Sequence, residues 1–282
     1  MSPEQLSRLD DDARVGRLRE ILQGPPSEAA WRALWELFAG WPDGESRARS
    51  LDAAERALAA WPDQLRLVTT SNALLHEGQS LSALARLVRV IEVHRREQHG
   101  AADLQAIASS PHIAGLTSLS IQRSEIDSRA WQALTESAYT SNLRHLHVSR
   151  TVLSAADLQR LFQSSRFPRL QCLKLIGVGL QPRRMDCVRH TRLFDQLSKL
   201  DLSSNGLGDD GVMLLSQEAA FLQIEHLTLR STYLRAPGVR TLLAGARRER
   251  PQQLDVSGND LTEQEGAELL ALAASRNVSL IM

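Results

Sequence analysis

An α/β solenoid, with a curved parallel sheet inside, helices outside and an all-α region ahead of it, is the architecture this 282-residue sequence predicts. Three observations predict it. Leu200 returns at strides of 27 residues as Leu119, Leu146, Leu173, Leu227 and Leu254. Leu202 and Leu207 head two more aliphatic columns at the same stride, running from Ile121 to Val256 and from Ile126 to Leu261 without insertion or deletion. Trp131, Leu158, Met185, Val212 and Val239 are each followed three residues later by an aliphatic residue, from Leu134 to Leu242, which is helical spacing. Such a period makes each unit one strand and one helix that bury their apolar faces only by stacking on their neighbours.

Bulk composition excludes several classes. At 43% hydrophobic and 23% charged the chain resembles a folded soluble protein. Lys+Arg and Asp+Glu both number 33, so no global charge draws it to nucleic acid or an anionic membrane. The N-terminus lacks the apolar run of a secretory signal, and no stretch approaches the roughly 20 apolar residues of a membrane span. A cytoplasmic location is therefore expected. Cys172 and Cys187, the only cysteines, are too few for a disulfide framework or a thiolate zinc site.

Residues 1–86 read as a helical domain. Residues 3–23 carry one amphipathic pattern, stopped by Gly24-Pro25-Pro26. Ser27 then caps a helix rich in Trp31, Trp35, Phe38 and Trp41, whose bulk suits a small core. A third helix is expected at about 45–61, and two more near 64–76 and 80–87. Leu87 to His94 alternates and is β-branched, which predicts a strand. Residues 87–115 then form a degenerate capping repeat that covers the edge of the first true unit.

Residues 116–282 are the repeats proper. Strand alternation turns Leu200 and Leu202 inward and Asp201 outward. Asn205 turns the chain after the strand, and its column holds Ser124, Thr151, Val178, Thr232 and Asn259. A third helical column, Ala138, Ser165, Arg192, Ala219, Ala246 and Ala273, is small apart from Arg192 and predicts close approach of helix to sheet. Residues 277–282 start a seventh strand, directing inward either Val278 and Ile281 or, after a one-residue shortening, Leu280 and Met282. Its open edge predicts contact with another chain or self-association.

Units of 27 residues with a full outer helix, and Leu-Asp-Leu-Ser-Ser-Asn-Gly-Leu-Gly-Asp-Asp-Gly at 200–211, resemble the ribonuclease-inhibitor-like class of leucine-rich repeats over about residues 101–282. The resemblance implies that Asn205 bonds the backbone of adjoining turns, in a ladder interrupted at Val178. Trp-Pro-Asp at 41–43 and again at 61–63 resembles the helical companion region that precedes such repeats in some bacterial proteins, over 27–70. A bacterial type of repeat protein is implied.

Function has to be sought on the polar side chains between the leucines. His145, His147, Lys174, Lys199, Asp201, His226, Arg230 and Asp255 are the larger ones on adjacent strands, with histidines and Lys174 at one end and the aspartates toward the other. Such a gradient suits a protein partner of complementary charge. The resemblance also implies an alternative, regulation of a partner enzyme such as a small GTPase or nuclease; a structural subunit joined through the C-terminal edge is another. No enzyme is expected, because Cys172 beside His145 lacks an oxyanion donor and an orienting acid. No metal or cofactor is expected either: His226 lies three strands from His145, about 14 Å, whereas zinc ligands sit about 2 Å from the ion. Arg183, Arg184, Arg189 and Arg192, and then Arg247, Arg248 and Arg250, read as solvated helix faces rather than a nucleic-acid site.

Overall fold

Parallel pairing in strict chain order joins nine strands into one open sheet in the computed structural model, which describes residues 9–72, 75–77, 80–94, 100–189, 191–218, 220–245 and 251–282. The strands are β1 (Leu67–Thr69), β2 (Val90–His94), β3 (Ser118–Gln122), β4 (His145–Ser149), β5 (Cys172–Ile176), β6 (Lys199–Asp201), β7 (His226–Thr228), β8 (Gln253–Asp255) and β9 (Ser279–Ile281). The 27-residue stride is the sheet register itself: Leu119, Leu146, Leu173, Leu200, Leu227 and Leu254 are successive cross-strand partners, all buried. Between β8 and β9 the stride shortens by one, so Leu280 rather than Ile281 partners Leu254.

Six helices back the sheet: α4 (Gly100–Ser109), α5 (Ser128–Glu136), α6 (Ala155–Gln163), α7 (Gly208–Leu215), α8 (Ala236–Gly245) and α9 (Glu263–Ser275), numbered after three N-terminal ones described below. Strands stack about 4.8 Å apart while helices need close to 10 Å, so the stack bends with the sheet on its inner wall. The chain is an α/β leucine-rich repeat solenoid with helices ahead of it.

Each coil leaves its strand through one residue in the left-handed region. Arg123, Arg150, Gly177, Ser204, Ser231 and Gly258 form this column, with φ between 51° and 71°. The backbone N–H of each residue from Arg123 to Ser231 donates to a carbonyl of the following coil, so the ladder outlasts the strands. Asn205, buried, comes next: its Oδ1 accepts from the backbone of Val178, Gly179 and Leu180, and its Nδ2 donates to the carbonyls of Leu175, Leu202 and Ser203. Asn259 repeats this toward Thr232 and Leu234. At Val178 the side chain cannot contribute, and its carbonyl accepts from Leu153 N–H at 3.1 Å instead.

The third helical column does not do what its small size suggests. α5 and α6 end before Ala138 and Ser165, both of which are exposed; Ala273 alone is seen buried in a helix, and Ala219 and Ala246 lie outside the described residues. The preceding column ties the coils instead: the hydroxyls of Ser137, Ser164 and Thr191 donate to the carbonyls of Ala108, Thr135 and Phe162 in the coil before. The unit that starts on β5 also departs from an α-helix, forming 3-10 turns at Pro182–Val188 and Leu193–Gln196. Gln181 gives no side-chain cap, and Arg183 and Arg184 oppose the dipole, whereas α6 and α9 start on complete capping boxes.

Among the described residues three α-helices precede the sheet, α1 (Asp11–Gln23), α2 (Glu28–Ala39) and α3 (Glu45–Ala57), with Asp10 and Ser27 capping the first two. The part of the first predicted helix before Leu9 lies outside the described residues, as do Arg247, Arg248 and Arg250. Among the described residues the helices expected at 64–76 and 80–87 do not form. Residues 63–65 make a 3-10 turn, β1 follows, His76–Glu77 pairs antiparallel with Ser80–Leu81, and 83–87 is again 3-10. β1 pairs with β2, because β2 offers an open edge whose polar groups a helix there would leave unpaired. Arg66, 1% exposed, stitches this junction by donating to the carbonyls of Leu58 and Leu87, and Trp31 Nε1 donates to Leu67 O at 2.8 Å.

Candidate functional site

On the inner face the register sets polar side chains in two rows. His145, Cys172, Lys199, His226 and Gln253 are successive partners from β4 to β8, and His147, Lys174, Asp201, Thr228 and Asp255 form the row beside them. Of the eight candidates, the seven borne on these strands thus share one wall; Arg230 stands just beyond β7, its Nε 4.0 Å from Asp255 Oδ2. Lys174, Lys199, His145 and Arg230 are exposed, while His147, Asp201, His226 and Asp255 are half-buried.

Local partners separate these groups into mobile and fixed. Asp201 Oδ1 accepts from Ser203 N–H at 3.0 Å and from the Ser203 hydroxyl, and Asp255 does the same with Ser257. Both carboxylates therefore serve the turn after the strand as well as facing outward. His226 Nδ1 lies 3.0 Å from Gln253 Oε1. Lys174 and Lys199 are the only lysines in the chain, and among the described residues neither makes an ion pair.

Burial, with Lys174 next in effect, pulls the His147 imidazole below its ordinary range, and its Nε2 is buried without a hydrogen-bond partner. His145 is also pulled down, by burial first and then by Arg144 and Lys199. Both shifts favour the neutral ring, so the fixed positive charge at this end of the wall is that of Lys174 and Lys199 with Arg144. The Cys172 thiol is pushed up by burial, against the opposing pull of both lysines, which makes it a poor nucleophile.

The structure adds side chains that the choice of inward-facing strand positions left out. Arg144 and Arg169 are exposed and line a cavity of about 350 Å³ with Gln171 and Gln196, below the basic end. At the opposite rim, Val152 and Tyr233 are the most exposed large apolar residues, at 77% and 78%. They belong to one 27-residue column, with Gly179 and Gly206 between them. The leucine stride aligns this column, and the exposure of its two apolar members is what the structure adds. Among the described residues no group of three or more His, Cys, Asp or Glu side chains is placed to hold a metal ion, and no helix is long and apolar enough to cross a membrane.

A profile of the family described as Leucine Rich repeat matches residues 197–216, the stretch through β6 and α7. No curated protein matches the chain in sequence. Among solved structures, a Bacteroides fragilis protein aligns at 12% identity and a TM-score of 0.34, covering 86% of this chain and 84% of that one. The yeast complex of Rad7 and Elc1 aligns at 15% and 0.38, covering 92% and 79%. These scores are too low to assign a shared fold. The matched repeat and the parallel, strand-by-strand register together establish that the chain carries leucine-rich repeats.

Proposed function

We propose that this is a non-catalytic interaction protein of the ribonuclease-inhibitor-like repeat class, which holds another protein against the inner wall of its sheet. The observation that carries this reading is the unbroken register from β4 to β8, which presents Lys174, Lys199, Asp201, His226 and Asp255 side by side on a rigid wall, with His145 and His147 at its margin. The 27-residue stride and the outer helices support the class. Rigid, pre-arranged polar groups lose little freedom on binding, which favours recognition over chemistry. Burial pushes the Cys172 thiol beside His145 up, which disfavours the thiolate a nucleophile needs.

The test is capture of partners from the native cell with the wild-type chain and with Lys174→Ala/Asp201→Ala, both checked for cooperative unfolding. A partner recovered by the first and lost from the second supports the reading. Equal recovery by a variant that folds normally contradicts it and moves the interface elsewhere.

A further inference from the structure

The unit that starts on β5 has lost most of what fixes an outer helix. Pro182–Val188 runs for seven residues as a 3-10 helix, about twice the length at which its poorer hydrogen-bond geometry is usually tolerated. Its closing bonds, Arg189 N–H to Asp186 O and Thr191 N–H to Val188 O, are both 3.3 Å, beyond the usual range. An anchor is missing as well. The column that buries Phe162 in α6 and Leu243 in α8 holds Arg189 here, which is exposed and paired with Asp186 at 3.1 Å. Packing behind the segment is incomplete, because a cavity of about 360 Å³ lies between the loop after α6 and the second 3-10 turn, lined by Phe162, Pro168, Arg192 and Gln196 among others.

Both ends of this frail stretch are tied down. Before it, Asn205 Oδ1 accepts from the backbone of Val178, Gly179 and Leu180. After it, the Thr191 hydroxyl donates to Phe162 O, and Phe194 stands edge-on to Phe162 and to Phe221 with ring centres 5.7 Å apart in each pair. Beneath it, β5 pairs with both β4 and β6. Between those ties one side chain fastens the segment to the rest of the array by charge-assisted bonds: Arg184 Nη1 donates to Leu153 O at 3.0 Å and to Gly179 O at 3.2 Å. Met185, Cys187 and Val188 supply its buried side chains.

We infer that Pro182–Val188 is a strap latched by Arg184, which swings open between α6 and α7 while the sheet beneath keeps its pairing. The opening is local, since the ties on either side and the ladder of β5 survive it, and it uncovers Met185, Cys187 and Val188. It does not depend on the inner-wall reading, because the side chains of that wall stand on strands that stay in place.

Cys187 reports the opening. In the closed strap burial pushes its thiol up to about 11, so it reacts when the strap opens and the thiol meets water. In Cys172→Ser it is the one remaining thiol, and N-ethylmaleimide is expected to label it at least about tenfold faster than the global unfolding equilibrium from urea titration allows, with little dependence on urea below the transition. Adding Arg184→Ala is expected to speed labelling about tenfold, the weight of a lost charge-assisted hydrogen bond, beyond any change in global stability. Adding Gln181→Ser/Arg183→Glu, which supplies a cap and an acidic first turn, is expected to slow it about fivefold. In the wild-type chain, amides of residues 183–189 are expected to exchange faster than those of α6 and α7. The inference is overturned if Cys187 labels at the rate and with the urea dependence of global unfolding, or if those amides are as protected as the flanking helices. It is also overturned if Arg184→Ala folds and labels at the unchanged rate.

Discussion

Asn205 shows how much a single side chain does in a solenoid. Six backbone groups from two coils share one buried carboxamide, and truncation leaves three N–H donors, two of them buried, without this acceptor. Asn205→Ala is expected to lower unfolding free energy by about 2 to 3 kcal/mol, at about 1 kcal/mol or more per buried orphaned donor, in urea titration. Asn259→Ala is expected to cost less, because Asn259 is part-exposed. At Arg123 and Arg150 the backbone is left-handed with φ of 51° and 52°, a strain glycine does not feel. Arg150→Gly is therefore expected to be neutral or stabilising by up to about 1 kcal/mol, relief of strain being offset by the freer unfolded chain. The role of Asn205 followed from the resemblance to leucine-rich repeats. The left-handed column was not legible, since Arg and Ser carry no signature of positive φ.

His147 makes stability depend on pH. Its folded-state pKa is depressed by burial and by Lys174, so the native state binds fewer protons than the unfolded chain. The stability this neutral ring contributes is fully present above its unfolded value of about 6.5 and is lost as pH falls below it. Urea midpoints measured through that window are expected to decline toward acid in the wild type and to decline less in His147→Gln. An equal slope in both proteins would assign the dependence to other groups.

Elements assembled from this sequence where local and long-range preferences agreed. α6 and α9 begin on Ser154 with Asp157 and on Thr262 with Glu265, and both capping boxes are readable from spacing alone. Pro182–Val188 has helical spacing at Met185 and Val188 but no cap and two arginines in its first turn, so it settles as a 3-10 turn. Residues 64–76 failed as a helix for a different reason, because an open edge on β2 outweighs local propensity. Arg66 holds that junction: its guanidinium is brought down to about 10 by burial, yet two carbonyls from separate turns require it. Arg66→Ala is expected to destabilise the chain by about 3 kcal/mol, through orphaned carbonyls and lost packing. Arg66→Lys is expected to recover little of it, because an ammonium cannot reproduce the guanidinium fork. Thermal unfolding of the two variants checks both.

At the scale of the whole molecule, the 27-residue period is simultaneously the sequence repeat, the sheet register and the spacing of the binding wall. The inner rows were legible for that reason, since period and alternation alone place every side chain from His145 to Asp255. Val152 and Tyr233 were less legible because nothing in their chemistry marks them, and only their exposure makes them a feature. Spacing does not show that burial pulls both histidines at the basic end toward the neutral form.

The rarity of lysine gives the central claim a direct test. Amine-reactive labelling of side chains in this protein reports only on Lys174 and Lys199, both on the inner wall. With the captured partner bound at saturation, the account predicts that both lysines label at least about tenfold more slowly than in the free chain, as burial in an interface requires. Labelling of both at the free-chain rate would place the partner on another surface and contradict the account.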